Sequence, residues 1–209
     1  MTGPPYVVIV ADCPWAFGDK LTMSTVKRGS ASNYGTLSTD ELKGLPVCDL
    51  AAKDAVLLLW RPDSLISVAL SVMEAWGFRQ TQEWAWLKTA KRESRLDSGD
   101  IPDDLHMGFG MGRLARNCDE KALVGVRGSP YKMVVSRSER NVFLSPNMGH
   151  STKPEVVQDA LDRMFPDVRR LELFARRQRS GWDCVGDEAP ETRGEDIRST
   201  LERLRCAET

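Results

Sequence analysis

Hydrophobic positions along the chain fall into short blocks with two different periods. Residues 7–10 (VVIV, all four β-branched), 55–60 (AVLLLW), 121–126 (KALVGV), 141–144 (NVFL) and 170–174 (RLELF) are largely apolar, strand-length runs. Such runs suit strands covered on both faces, as in parallel sheets. Residues 83–89 (EWAWLKT) alternate instead, the pattern of a strand with two unlike faces, and 182–185 is a last short strand. Helical spacing appears between them. Ser38 with Glu41 three residues on forms a capping box ahead of Leu42, Leu45 and Leu50. Pro62 opens a helix carrying Leu65, Ile66, Ala69, Met73 and Trp76 on one face, closed by Gly77. Pro154 opens another, through Phe165, with Val157, Ala160, Leu161 and Met164 inward. Strands alternating with helices predict an α/β fold: a mostly parallel, doubly wound, Rossmann-like sheet. Residues 1–188 form its domain, and 189–209 a charged helix or tail that begins its amphipathic pattern at Glu195.

Three stretches lack periodicity and read as loops: 20–33, 91–105 and 131–140. They flank or connect the predicted strands, which predicts that they are mobile and face a substrate. The glycine-rich run 107–112 (MGFGMG) does not match the dinucleotide fingerprint, because no strand feeds it and its glycine spacing is wrong.

Composition narrows the class. The chain has 209 residues, 41% hydrophobic and 28% charged, with a net charge of −1; that is enough for one sizeable core and gives no global nucleic-acid signature. There is no apolar run of membrane-spanning length and no basic-then-apolar leader. The five cysteines are scattered, without C-x-x-C pairing, which predicts neither disulfides nor a metal site. A reduced, cytoplasmic protein is the expectation.

The candidate chemistry sits at Ala11-Asp12-Cys13-Pro14-Trp15, where the first strand ends. Pro14 cannot donate to a ladder and biases Cys13 towards extended backbone. An acid, a backbone carbonyl released from ladder duty and an indole then meet at the carboxyl end of a strand, the place where open α/β sheets bind ligands. That trio suits an exocyclic amino group on a nucleobase, whose lone pair is delocalised into its ring. Two acceptors aimed at its N–H bonds orient it and stabilise the charge that grows during alkyl transfer. Asp12 supplies one, the Cys13 carbonyl the other, and Trp15 stacks on the base. The plainer reading is a strand and turn with Trp15 as a core plug.

An ordered series of motifs decides between these readings. ADCPW (11–15), YGTLSTDEL (34–42), LLLWRP (57–62), WGF (76–78), WLKT (86–89), RNCDEKALVGVRG (116–128), HSTKPE (150–155), ELFAR (172–176) and GWDCVGDE (181–188) resemble, in order, the methyltransferase-A (MT-A) family of nucleic-acid adenine N6-methyltransferases. The resemblance implies a methyltransferase using S-adenosyl-L-methionine, with its catalytic strand N-terminal and its cofactor strand C-terminal. The family tetrapeptide is Asp-Pro-Pro-Trp; here Cys13 stands at its second position, and the backbone acceptor survives.

By that resemblance Asp12, Cys13, Pro14 and Trp15 form the catalytic site, with Tyr34 and Trp86 near the target base. Lys88, Arg116 and Glu120 lie on the substrate side. Asp12, Lys153, Leu173, Phe174, Arg176, Asp187 and Glu188 contact the cofactor, and His150 is a turn residue. Tyr34 and Trp86 also read as packing aromatics, and Arg116–Glu120 as an i, i+4 salt bridge. Lys153 precedes a proline-started helix, where a cation gains nothing from the dipole, which favours a site role. Basic runs at Lys88–Lys91–Arg92–Arg95, Arg127–Lys132–Arg137–Arg140 and Arg176–Arg177–Arg179 are candidate phosphate contacts or plain solvated faces. The expected function is methylation of the adenine N6 amine in nucleic acid, DNA ahead of RNA, with a homodimer or partner subunit open. RNA or free nucleotides, and a non-catalytic partner of the same fold, stand as alternatives; retention of Asp12 favours catalysis.

Overall fold

The computed structural model describes residues 5–16, 35–90, 105–108, 110, 114–146 and 152–207. The loop 20–33, nearly all of 91–105, Tyr34 and His150 lie outside these. The described strands are β1 (Tyr6–Ala11), β2 (Ala51–Arg61), β3 (Arg79–Thr89), β4 (Asp119–Arg127), β5 (Val142–Pro146), β6 (Arg170–Leu173) and β7 (Asp183–Val185), with helices α1 (Thr39–Lys43), α2 (Val47–Leu50), α3 (Ile66–Ala75), α4 (Glu155–Met164) and α5 (Ile197–Ala207). The strands form one sheet in the order β5-β3-β4-β2-β1-β6-β7. β4 alone runs against its neighbours. Its amino terminus therefore comes to the edge where β1, β2 and β6 end, and Lys121 pairs with Arg61 there.

Alternation along the central strands builds two cores. Ile9, Leu57 and Leu59 face one layer with α1, α2 and α3; Val8, Val10, Leu58 and Trp60 face the other, with Val157, Ala160 and Leu161 of α4. The Ser38 capping box is present in both halves. One predicted helix is two. Pro46 lacks a donor and stands at the start of α2, so the Leu42–Leu45–Leu50 stripe is split between α1, a turn and α2. Trp76 is fully buried, and its indole N–H donates to the Leu42 carbonyl at 2.8 Å. Gly77, at φ 83°, ends α3 in the left-handed conformation that glycine takes without a Cβ penalty. α5 is packed: Leu201 and Thr200 are buried, while Arg198 pairs with Glu41 at 3.0 Å and Arg205 with Asp49 at 3.3 Å. No helix among the described residues is long and apolar enough to cross a membrane.

The expectation for 131–140 is overturned by topology. The segment leaves β4 at Arg127, whose partner is Ala55 near the start of β2, at the edge away from Asp12. Val135 N–H then donates to the Met164 carbonyl at the last turn of α4. Met133 and Val134 pack on the α4-side core, and Arg137 donates to the Tyr131 carbonyl. Tyr131, Lys132 and Arg137 are thus turned away from the Asp12 edge. Arg127, of the same basic run, donates to the Cys48 carbonyl at 2.6 Å.

Candidate active site

β1 is buried between β2 and β6, which fixes the level at which the chain leaves the sheet. Asp12 N–H still donates to the Leu173 carbonyl at 3.4 Å. The backbone then turns tightly about Pro14: Trp15 N–H donates to the Cys13 carbonyl at 2.9 Å. The carbonyl is therefore not fully released, but among the described residues one of its two lone pairs remains. Leu37 N–H donates to the Pro14 carbonyl at 3.0 Å, and the Trp15 indole to the Trp60 carbonyl at 3.1 Å. Asp-Cys-Pro-Trp is held from both sides. Trp15 is only 4% exposed yet lines the cleft, so it is at once a packed core residue and part of the cleft wall.

The cleft has a volume of about 950 Å³ and runs along the strand ends from β4 to β7. On its floor four charged side chains form a chain. Lys88 Nζ is 2.6 Å from Glu120 Oε1, Glu120 Oε2 is 3.2 Å from Lys153 Nζ, and Lys153 Nζ donates to Asp12 Oδ2 at 2.7 Å. Lys153 also stands over the Trp60 ring at 5.5 Å, and Lys88 over Trp86 at 5.0 Å. Burial by itself would push the Lys153 ammonium down, but the Asp12 and Glu120 carboxylates outweigh it and hold its pKa above the ordinary lysine value. Glu120 is the mirror case. Burial would raise its carboxyl, and the Lys153 and Lys88 cations hold it below the usual carboxylate range. Cys13 is buried, and burial followed by the Asp12 charge raises its thiol well above normal; a thiolate nucleophile is disfavoured there.

The structure brings Asp12, Cys13, Pro14, Trp15, Lys88, Glu120, Lys153, Phe174, Arg176, Asp187 and Glu188 to this one cleft. Two expected residues are placed elsewhere. Trp86 is 2% exposed, with its indole on the Ser145 carbonyl at 2.9 Å; it is core beneath Lys88 and does not line the cleft. The Leu173 side chain is fully buried, and it meets the cleft only through its carbonyl, which accepts from Asp12 N–H. The helical i, i+4 pairing of Arg116 with Glu120 does not arise, because this segment is extended and Glu120 stands on β4. Arg116 is exposed near the cleft's β4 end. Arg177 is paired with Glu155, and Arg179 with Glu155, Asp159 and Asp162. These cations are committed to α4 rather than presented to phosphates. Arg176 pairs with Glu188 across the cleft wall at 3.7 Å.

Beyond β6 the chain is strained and crowded. Phe174 has φ 61°, an unusual conformation for a bulky residue. A Cβ on Gly186 would lie 2.2 Å from the Ala175 carbonyl oxygen. Only glycine lets the two turns carrying Phe174–Arg176 and Asp187–Glu188 touch. Sequence reading passed over Glu172, Arg61 and Lys121. Glu172, on β6, accepts from Gln158 at 2.8 Å in a side cavity of about 330 Å³ that Asp12 and Lys153 also line. Burial, and then the Asp12 charge, raises its carboxyl. The signal was present as a lone acid inside the RLELF strand. Arg61 and Lys121 brace Asp63 on the β4 side at 2.7 and 3.4 Å.

The MT-A70 family model matches residues 6–188, the whole described sheet and every residue of this cleft except two at its C-terminal rim. The chain belongs to the MT-A70 family. It is 33% identical over 206 residues to the type II methyltransferase M.MunI of a Mycoplasma species, covering 90% of this chain and 79% of that protein. It is 28% identical over 183 residues to a probable N(6)-adenosine-methyltransferase MT-A70-like protein of Oryza sativa subsp. japonica, and 28% over 185 residues to the human N(6)-adenine-specific methyltransferase METTL4. Those matches cover 87% of this chain but only 22% and 37% of the longer proteins. The region this MT-A70 protein shares with the longer relatives is the sheet with its cleft. Among the described residues no cluster of three His, Cys, Asp or Glu is arranged to hold a metal ion.

Proposed function

We propose that this MT-A70 protein transfers a methyl group to the N6 amine of adenine in nucleic acid, with DNA as its substrate. The observation that carries the reading is the Asp12 carboxylate, held at one oxygen by Lys153 at 2.7 Å and facing the cleft beside the Cys13 carbonyl. Among the described residues nothing else bonds Oδ1 of Asp12 or the second lone pair of the Cys13 carbonyl, which leaves both for the two N–H bonds of an amine. S-adenosyl-L-methionine, when bound, supplies an electrophilic methyl group on a sulfonium centre.

The residues fit that group. The β7 end of the cleft joins apolar Leu37 and Phe174 to the acids Asp187 and Glu188, which suits a flat base and ribose hydroxyls. The smaller side cavity joins Lys153 to Glu172 and Gln158, which suits the opposite charges of an amino-acid end. Asp12 orients the amine and stabilises the positive charge that grows on it. After the methyl group arrives and the sulfonium becomes a neutral thioether, the proton the amine must lose passes to solvent. Lys153 fixes the Asp12 carboxylate through Oδ2, and Glu120, itself paired with Lys88, holds Lys153 in place.

Seven acidic and five basic side chains line the described cleft. That balance disfavours a phosphate backbone inside it and favours a neutral base swung in from outside. DNA is favoured because the type II methyltransferase is matched over 79% of its own length, and the adenosine-methyltransferase MT-A70-like protein over 22%.

The test is parallel incubation of the protein with labelled S-adenosyl-L-methionine and DNA, RNA or adenosine, followed by digestion and mass spectrometry. N6-methyladenine in DNA is the expected product. Label on RNA alone would shift the substrate, and no transfer to any acceptor by a protein that binds the methyl donor would favour a non-catalytic partner subunit.

A further inference from the structure

We propose that the C-terminal segment beyond the family match builds the adenosine end of the donor pocket, with Ile197 as its contact residue. This rests on the reading of the cleft as a donor site. The MT-A70 match ends at residue 188, yet Glu195 and Ile197 line the same cleft.

The segment reaches it by a short bracket of hydrogen bonds. Gly186 N–H donates to Thr192 Oγ1 at 3.0 Å, Ala189 N–H to the Gly186 carbonyl at 3.1 Å, and Gly194 N–H to the Asp187 carbonyl at 3.1 Å. Gly194, at φ 74°, turns the chain back towards the cleft. Thr192 is buried, so the bracket is part of the fold. α5 begins at Ile197, which packs on the α1–α3 core and is half-buried.

Along the strand ends the order is β4, β2, β1, β6, β7. Asp12 follows β1, so a donor whose methyl group lies at Asp12 and whose adenosine runs over Phe174 meets the β7 end last. There Ile197 and Leu37 supply apolar wall, and Asp187 and Glu188 supply acceptors. Glu195 is not a free ligand: its carboxylate accepts from Thr200 at 2.9 Å and Arg203 at 2.7 Å. The charged side cavity at Lys153 and Glu172 is unsuited to a neutral purine, which leaves the Ile197 end for it.

Calorimetric titration of the full chain with S-adenosyl-L-methionine and with 5′-methylthioadenosine, which lacks the amino-acid end, tests this. Ile197→Ala is expected to weaken both ligands by about tenfold, the loss of roughly two methylene-equivalents of apolar contact. Ile197→Leu is expected to bind like the parent. Ile197→Trp, which keeps α5 apolar but fills the space, is expected to bind neither. Thermal unfolding of each variant separates lost binding from lost fold. Parent-like binding of both ligands by Ile197→Ala or Ile197→Trp overturns the inference and leaves the donor-site reading standing. So does weakening confined to S-adenosyl-L-methionine, because the contact is then not with adenosine. A parent protein that binds neither ligand overturns the donor-site reading, and this inference with it.

Discussion

The indole N–H of Trp15 donates to the main-chain carbonyl of Trp60 at 3.1 Å. This bond ties the turn after β1 to the end of β2, and Lys153 stands over the face of the same Trp60 at 5.5 Å. One residue of β2 thus positions both the tetrapeptide and the cation that holds Asp12. The charge on Asp12 is aimed before any substrate arrives, which is what electrostatic preorganisation requires.

Asp12→Ala is expected to fold and to lose most methyl transfer. Removing one oriented polar group of this kind costs about 2.7–4 kcal/mol, roughly a hundred- to a thousandfold in rate. Cys13→Ala and Cys13→Pro are expected to stay active, because the backbone carbonyl serves and the buried thiol does not. Initial rates on a common DNA substrate check all three. An active Asp12→Ala beside a dead Cys13→Ala would replace the amine clamp with cysteine chemistry.

Two carboxyls should shift stability with pH in opposite directions. Glu120 has a depressed folded pKa, so its contribution is present above its unfolded value and is lost as pH falls through the folded one. Glu172 has a raised folded pKa, so the folded state holds its proton longer and stability falls as pH rises through that value. Glu120→Gln is expected to destabilise at neutral pH, and the deficit should shrink below about pH 4. Glu172→Gln, which can keep the acceptor for Gln158, is expected to raise the melting temperature at neutral pH, with the gain vanishing in acid. Thermal unfolding across pH 3–8 gives both signs in one series.

Gly186→Ala is expected to destabilise by about 1–3 kcal/mol, the usual cost of overpacking. The added carbon would meet backbone of Ala175 at 2.2 and 2.5 Å, where no side chain can yield. Because the two turns it would force apart line the β7 end of the cleft, the proposed donor site, donor binding should weaken as well. Urea unfolding with and without the donor measures both effects.

Replacing Lys132, Arg137 and Arg140 together with glutamine is expected to leave DNA affinity and its salt dependence unchanged. Their segment is anchored at the sheet edge away from Asp12 and at the last turn of α4. A flattened salt slope in binding titrations would show that DNA reaches that edge.

The sequence by itself determined the strands, their buried faces, the capping box and the Asp12–Trp15 turn. Each of these rests on residues a few positions apart: β-branched runs, period-two alternation, a proline that removes a donor. Tertiary structure decided the rest. Alternation reads the same whichever way a strand runs, so only pairing could show that β4 is reversed, which delivers Glu120 to the cleft and takes 131–140 away from it. Trp86 and Trp15 carry the same side chain, yet only Trp15 borders the cleft, because the layer above each is set by distant elements. Lys153 and Asp12 are 141 positions apart, and no local pattern links them. Ile197 meets the cleft because α5 packs beside α2, a contact made by the fold after every local element is in place.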